Sequence, residues 1–311
     1  MIHPSFSFVM PAYKARFLPK AINSILKQDY NSYELIIVND ASPENLRKIV
    51  NEFQDDRIQY KENTHNIGGK DLVKNWNLCV SLAKNDYIIL STDDDIFDPC
   101  FLSNATKLIE KYPNVDILRS GVEKIDEYDN VIDFEFPLKE FMTAKEFMLY
   151  YAKGGTISCV SNYIIKKTSL DSFGGFIPFP RAHYSDDATA LALSKKGIAC
   201  MPTNSFKFRV SNINLSNRHD LVIVKEQLKA TEQYMGWYIN HIKEIGISSG
   251  SFFEKACYGG YKFRYLAMID NLILKIPFTK IHIVIYYIIH NKYMFGKEKI
   301  KMLFSYLIGH S

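Results

Sequence analysis

The sequence predicts an α/β fold: a mostly parallel sheet flanked by helices, followed by a helical C-terminal extension. Three observations carry that expectation. Short apolar runs alternate with helical-period segments through the first part of the chain, which is the signature of βαβ units. Acidic and polar clusters fall directly after the apolar runs, where parallel sheets place their ligand-binding loops. From Leu221 onward the pattern reads almost entirely as helix.

The elements follow in order. Phe6–Met10 is an apolar run and reads as a buried strand, and Leu18–Leu26 has a helical period. Glu34–Asn39 is a second strand, Asn45–Phe53 a second helix and Arg57–Lys61 a third strand. Gly69–Ala83 reads as helix and Asp86–Leu90 as a fourth strand. Asp116–Ser120 and Ser161–Lys166 look like further strands, and Asp187–Lys196 like a helix. Gly154-Gly155 and Gly174-Gly175 punctuate loops.

Composition narrows the class. The chain has 311 residues, 47% hydrophobic and 23% charged, enough to bury a large core and too apolar for extensive disorder. A net charge of +4 implies no nucleic-acid partner. The five cysteines are scattered, with no CxxC pair, which fits reduced thiols in a cytoplasmic protein. The N-terminus carries no signal-peptide pattern, and no apolar run reaches the ~20 residues that span a bilayer.

Three clusters are candidates for chemistry. Asp40 follows the second strand and could accept hydrogen bonds from a nucleobase or ribose. It could equally cap a helix, but Ser42 is the better cap because Pro43 then falls at the first helical position. The strongest cluster is Asp93-Asp94-Asp95, just past the fourth strand. Adjacent carboxylates repel unless a cation is present, and hard cations take oxygen ligands. A calcium-binding EF-hand is excluded, since the loop lacks its glycine and has Asn104 at the closing position. The third cluster is Asp186-Asp187 at a helix start, where one acid can cap and the other can serve as a general base.

Taken together these pieces resemble the family 2 glycosyltransferases of GT-A fold. Ser7–Tyr13 is similar to the family's opening strand, and Leu35–Ser42 to its base-binding strand and turn. Asn66-Ile67-Gly68 and Lys74-Asn75 resemble the donor-facing loop and helix. Ser91–Asp95 with Pro99 resembles the metal-binding DxD region, and Phe173–Phe176 with Asp186-Asp187 the acceptor-side loop and base. The resemblance covers roughly residues 5–216.

The resemblance implies residues 1–110 as a nucleotide-sugar-binding half, 111–220 as an acceptor-binding half and 221–311 as a helical extension. It implies that Pro11, Tyr13, Asp40, Ser42, Asn66, Gly68 and Lys74 hold the donor, most often a UDP-sugar. One or more of Asp93, Asp94 and Asp95 would ligate Mn²⁺ or Mg²⁺, in the order of preference Asp95, Asp93, Asp94. Asp187, with Asp186 beside it, would deprotonate an acceptor hydroxyl in an inverting displacement. The acceptor would be a glycan or lipid-linked glycan.

Two departures from the family pattern bear on the ligands. Thr92 stands where the family commonly has Asp. The family's later metal-binding His is missing from Phe208–Asn212, so His219 is a candidate ligand, while Arg209 and Arg218 could meet the diphosphate directly.

The tail from Leu272 mixes Ile, Tyr, Phe and Lys, which suits either packing on the catalytic domain or contact with the inner-membrane surface. A non-catalytic nucleotide-sugar binder is the main alternative reading. A sugar-1-phosphate nucleotidyltransferase fits less well, since residues 5–20 contain no Gly.

Overall fold

The computed structural model describes residues 3–212 and 220–310. They form two compact units: residues 3–147, 156–178 and 185–212 in the first, and 148–155, 179–184 and 220–310 in the second. The second unit thus takes in two short segments from the middle of the chain.

The first unit is built on an eight-stranded sheet ordered β3-β2-β1-β4-β10-β6-β11-β9. Its strands are β1 Phe6–Ala12, β2 Tyr33–Asn39, β3 Ile58–Glu62, β4 Tyr87–Leu90, β6 Ile117–Arg119, β9 Phe141–Met142, β10 Tyr163–Lys166 and β11 Ile198–Cys200. β1 pairs in parallel with both β2 and β4, and β2 with β3, as right-handed βαβ units require. β10 runs antiparallel between β4 and β6, so the parallel order is broken beside the fourth strand. A smaller four-stranded sheet, β5-β12-β7-β8, was not foreseen. It comprises β5 Ile96–Phe97, β7 Val122–Ile125, β8 Val131–Phe134 and β12 Phe206–Arg209.

The central strands are mostly apolar because both faces are covered, and their polar exceptions Ser7 and Glu34 bond each other at 2.6 Å. β1 is buried at every position but one. Helix α1 (Leu18–Leu26) buries Leu18, Ala21, Ile22 and Ile25, one helical stripe. Helix α4 (Phe101–Lys111) buries Phe101, Leu102, Ala105, Leu108 and Ile109 with the same spacing. Phe97 links the two sheets, lying 5.1 Å from Phe8, 4.9 Å from Phe101 and 5.3 Å from Phe206 between ring centroids. Helix α2 is shorter than expected, Leu46–Val50. Helix α3 spans Leu72–Val80, and α7 covers Ser185–Leu193. The remaining helices of the middle, α5 Ala144–Ala152 and α6 Lys167–Phe173, complete the series.

The second unit holds α8 Leu221–Glu244, α9 Phe252–Ile273, α10 Ile281–His290 and α11 Gly296–Ile308. α8 is capped by the Asp220 carboxylate, which accepts from the Val222 and Ile223 amides, and α9 by the Ser251 hydroxyl. Their interface holds a tyrosine cluster: Tyr238 stacks on Tyr261 at 4.2 Å and Tyr234 meets Tyr261 edge-on at 5.4 Å, while Tyr184 from the 179–184 segment stacks on Tyr234 at 4.5 Å.

Candidate functional site

The carboxyl ends of β1, β2 and β4 lie side by side, so the loops leaving them form one edge. Every donor-side residue expected from the sequence, apart from Arg209, Arg218 and Lys74, sits on this edge or on the 63–68 loop beside it. Arg218 and His219 lie outside the described residues.

The β2 end is organised from its backbone outward. Asn39 Oδ1 accepts from the Ser42 amide at 2.8 Å, closing a tight turn in which Ala41 adopts a φ of +52°. Ser42 therefore does not cap α2: its hydroxyl donates to Tyr13 O at 2.6 Å, and Asn45 is the cap, accepting from the Lys48 amide. The turn had claimed Ser42 before the helix began. Asp40 is buried, and its carboxylate accepts from Asn63 Nδ2 at 2.7 Å and from the Ile67 and Gly68 amides at 2.9 and 2.7 Å. Gly68 is required by this contact, since a β-carbon there would lie 2.9 Å from Asp40 Oδ2. Asn66 accepts from the Gly69 amide and shapes the same loop. Tyr13 stands 40% exposed at the mouth, beside Pro11, the next-to-last residue of β1. Lys74 is exposed on the first turn of α3, whose cap is Asp71.

The β4 end carries the acidic triplet, and its three carboxylates have three different settings. Asp93 Oδ2 accepts from the Tyr13 and Lys14 amides, both at 2.7 Å, and so fastens the loop after β1. Asp95 Oδ1 accepts from the Arg209 amide at 2.9 Å, while its Oδ2 takes the Thr92 hydroxyl and, at 3.4 Å, that of Ser161. Thr92 thus serves Asp95 as a hydrogen-bond donor. Asp94 Oδ2 meets the Lys14 ammonium, which also lies 3.3 Å from Asp93 Oδ1. Asp93 and Asp94 therefore converge on one cation, supplied by the chain itself.

Electrostatics follow from this packing. Burial foremost, then the charge of Asp94, pushes Asp95 up to about 7, against the Thr92 hydroxyl and the Arg209 amide. Burial also raises Asp93, although Lys14 opposes it. Burial works against the charge of Lys14, but Asp93 and Asp94 outweigh it and hold the ammonium above its ordinary value. Lys14 is the residue that sequence reasoning missed. The available signal was its position, directly after Tyr13 at the end of the first strand.

Arg209 was expected to face a diphosphate. It is fully buried, with Nε donating to Asp94 O at 2.8 Å, Nη1 to Asp126 O at 2.9 Å, and Nη1 paired with Asp129 at 2.6 Å. The Phe17 ring covers its guanidinium at 4.4 Å. Its charge is committed to the loops behind the triplet.

The acceptor-side pair is held from the other direction. Asp186 and Asp187 open α7, and Ser185, not Asp186, is its first residue. Thr189 donates to Ser185 O and accepts from the Ile177 amide at 3.0 Å. The preceding turn is fixed to α3: Asn77 Oδ1 accepts from the Phe176 amide at 2.8 Å, and Trp76 meets Phe176 edge-on at 5.6 Å. Burial, then the neighbouring charge of Asp187, pushes Asp186 up to about 7. Asp95, Asp186 and Asp187 all act on the Cys159 thiol, raising it after burial has done so. The triplet reaches the segment 159–163 through Asp95, which accepts from Ser161, and the charge of Asp187 acts on Tyr163 at the end of the same segment.

Among the described residues no group of three or more His, Cys, Asp or Glu is placed to hold a metal ion by itself. The donor set at Asp93 and Asp94 nonetheless fits a hard cation, because two carboxylate oxygens already point at one. They make a partial shell, which a ligand's phosphate oxygens would have to complete.

The strand-end loops of a mixed α/β sheet, with an acidic triplet after the fourth strand, are the arrangement expected above for a glycosyltransferase. Residues 7–172 match the glycosyl transferase family 2 model, more than half of the chain, and the chain belongs to that family. It is 33% identical over 129 residues to the putative glycosyltransferase EpsE of Bacillus subtilis, matching 40% of this chain and 45% of that one. It thus spans under half the length of that curated relative. It is 27% identical over 215 residues to WfgD of Escherichia coli, covering 68% of this chain and 79% of that one. WfgD is described as a UDP-Glc:α-D-GlcNAc-diphosphoundecaprenol β-1,3-glucosyltransferase. In fold it matches the mannosyltransferase PcManGT of Pyrobaculum calidifontis, solved with GDP-Man and Mn²⁺. That likeness has a TM-score of 0.56 at 13% identity, covering 100% of this chain and 88% of that one.

Proposed function

We propose that the protein is an inverting glycosyltransferase that moves a sugar from a UDP-sugar to a hydroxyl of a glycan or lipid-linked glycan. The observation that carries this is the meeting of two carboxylate clusters on one segment. Asp93-Asp94 gathers a cation at the strand ends, their neighbour Asp95 accepts from Ser161, and the charges of Asp186-Asp187 act on Cys159 and Tyr163 at either end of that short stretch. The WfgD description supports both the uridine nucleotide and the lipid-linked acceptor.

The residues divide the work. Tyr13, Pro11 and the turn at Asp40–Ser42 receive the nucleoside, with Asn66 and Gly68 shaping its floor and Lys74 at the rim. Asp94 and Asp93 would hold a divalent ion, Mn²⁺ or Mg²⁺, at the place where they now meet the Lys14 ammonium. When bound, such an ion neutralises the charge on the departing diphosphate. Lys14 keeps those carboxylates compensated until then, and afterwards lends its charge to the phosphates. Asp95 positions the loop through Arg209 and Thr92.

On the acceptor side, the hydroxyl oxygen attacks the anomeric carbon while the bond from that carbon to the phosphate oxygen breaks. The hydroxyl proton passes to Asp187. Burial and the charge of Asp187 raise Asp186 to about 7, so the pair does not carry two full charges easily. Free thiols at all five cysteines suit a cytoplasmic location.

One observation favours a second reading. Asp93 and Asp95 are already satisfied by protein donors, which would suit a nucleotide-sugar binder without turnover. A thermal-shift panel of UDP-Glc, UDP-GlcNAc and GDP-Man with and without Mn²⁺ tests donor binding, and release of the nucleotide diphosphate tests turnover. The proposal expects stabilisation by a UDP-sugar that depends on the ion. Stabilisation by none of them would overturn it, and binding without release under any acceptor would favour the second reading.

A further inference from the structure

The last two helices of the second unit each have two apolar faces. α10 buries Val284 and Ile288, and α11 buries Met302 and Tyr306. At roughly 100° per residue, the far side of α11 carries Ile300, Phe304, Leu307 and Ile308. All four are exposed, with Ile300, Phe304 and Ile308 each above 60%. The far side of α10 carries Ile285, Tyr286 and Ile289, also exposed, and Phe295 in the link between the helices is exposed as well. An ordinary surface helix places polar residues there. Scattered apolar side chains on a surface need no explanation, but an apolar stripe at helical spacing does.

The charges around these stripes have one sign. Lys280, Lys292, Lys297 and Lys301 are exposed. The single acid in this stretch, Glu298, is paired with Lys262 at 3.0 Å. Among the described residues no single helix is long and apolar enough to cross a membrane, and α9 is bent by 110° from the helical segment Phe278–His290. α10 and α11 are short helices whose exposed sides are apolar with lysines close by, which suits lying on a surface.

We propose that the outward faces of α10 and α11 dock on an anionic lipid bilayer, with the apolar stripes entering the headgroup boundary and the lysines meeting lipid phosphates. Ile and Phe on one face with Lys at its border match such a surface. A second copy of the chain fits less well, because a two-fold contact would set the same lysines against each other. The proposal does not depend on the identity of the donor sugar.

Co-sedimentation of the full chain with vesicles tests it. The chain pellets with phosphatidylcholine–phosphatidylglycerol vesicles at least roughly ten-fold more strongly than with phosphatidylcholine alone, and salt weakens the binding. The double substitution Ile300→Glu/Phe304→Glu lowers binding about ten-fold or more and leaves the melting temperature unchanged, since both side chains point outward. Lys297→Glu/Lys301→Glu lowers binding to the anionic vesicles only. Wild-type protein that stays in the supernatant overturns the proposal, as does an Ile300→Glu/Phe304→Glu protein that pellets like wild type. A dimer by light scattering that the same double substitution breaks, without vesicle binding, assigns the face to a second copy instead. Nucleotide-sugar binding is expected to be the same in all three proteins, so this proposal and the proposed function fail separately.

Discussion

The two carboxylate clusters of the first unit handle the same problem differently. Both put adjacent acids side by side, the triplet buried and the pair half-buried, and both contain an acid raised to about 7. The triplet compensates with donors: two amides for Asp93, an amide and a hydroxyl for Asp95, and the Lys14 ammonium for Asp94 and Asp93. The pair at Asp186-Asp187 has backbone amides of its own turn working against burial and mutual repulsion. The first arrangement is suited to exchanging one cation for another, the second to taking and returning a proton. Adjacent acids in a sequence look alike; it is on their surroundings that the proposed split between metal and proton chemistry rests.

The largest effect that would break this contrast is at Asp187. Asp187→Asn is expected to lower kcat by roughly 10³-fold while leaving the donor Kd within about two-fold. A matching loss of donor binding would move Asp187 to the donor side. Next comes Asp94→Asn, which is expected to weaken Mn²⁺-dependent donor binding by roughly 10- to 100-fold, by calorimetry with and without the ion. Asp95→Asn, by contrast, should mainly lower the melting temperature. If Asp95→Asn instead removes the ion dependence and Asp94→Asn does not, the roles of the two are exchanged.

The proton-handling side makes a pH prediction. Asp186 has a folded-state value raised to about 7, so between its ordinary value and 7 the folded state binds more protons than the unfolded one. Stability from this group is therefore present at low pH and lost as pH rises towards 7. Relative to wild type, Asp186→Asn should gain up to ~2–4 kcal/mol between pH 4 and pH 8, read from denaturant unfolding. A parallel pH dependence in the two proteins would mean that Asp186 titrates as an ordinary carboxylate. The smallest effect is on the donor floor, where Gly68→Ala brings a methyl against Asp40 and should cost ~1–2 kcal/mol.

Much of the sheet was legible because β1, β2 and β4 are apolar on both faces and only a buried parallel strand needs that. The second sheet was not. Its strands are two to four residues long, and β8 is exposed at every position, so period and burial leave little trace. Helix α4 was missed although Phe101, Leu102, Ala105, Leu108 and Ile109 carry a clear stripe, since the acidic turn just before it drew the reading. The site's location was legible for the same reason as the strands, because its acids follow them. Its division of labour was not, since hydrogen bonds such as Tyr13 and Lys14 to Asp93 join residues far apart in the chain. The preference for Asp95 as first metal ligand had no way to anticipate that Thr92, Ser161 and Arg209 surround it.

The central claim is that the two clusters work on one sugar transfer. The most direct measurement is release of the nucleotide diphosphate from a UDP-sugar, with Mn²⁺ and a glycan or lipid-linked acceptor, by wild type, Asp94→Asn and Asp187→Asn side by side. The account predicts release by wild type, release by Asp94→Asn that recovers in part at high ion and donor concentration, and release by Asp187→Asn that stays roughly 10³-fold slower at every concentration. Release by Asp187→Asn at the wild-type rate would contradict it.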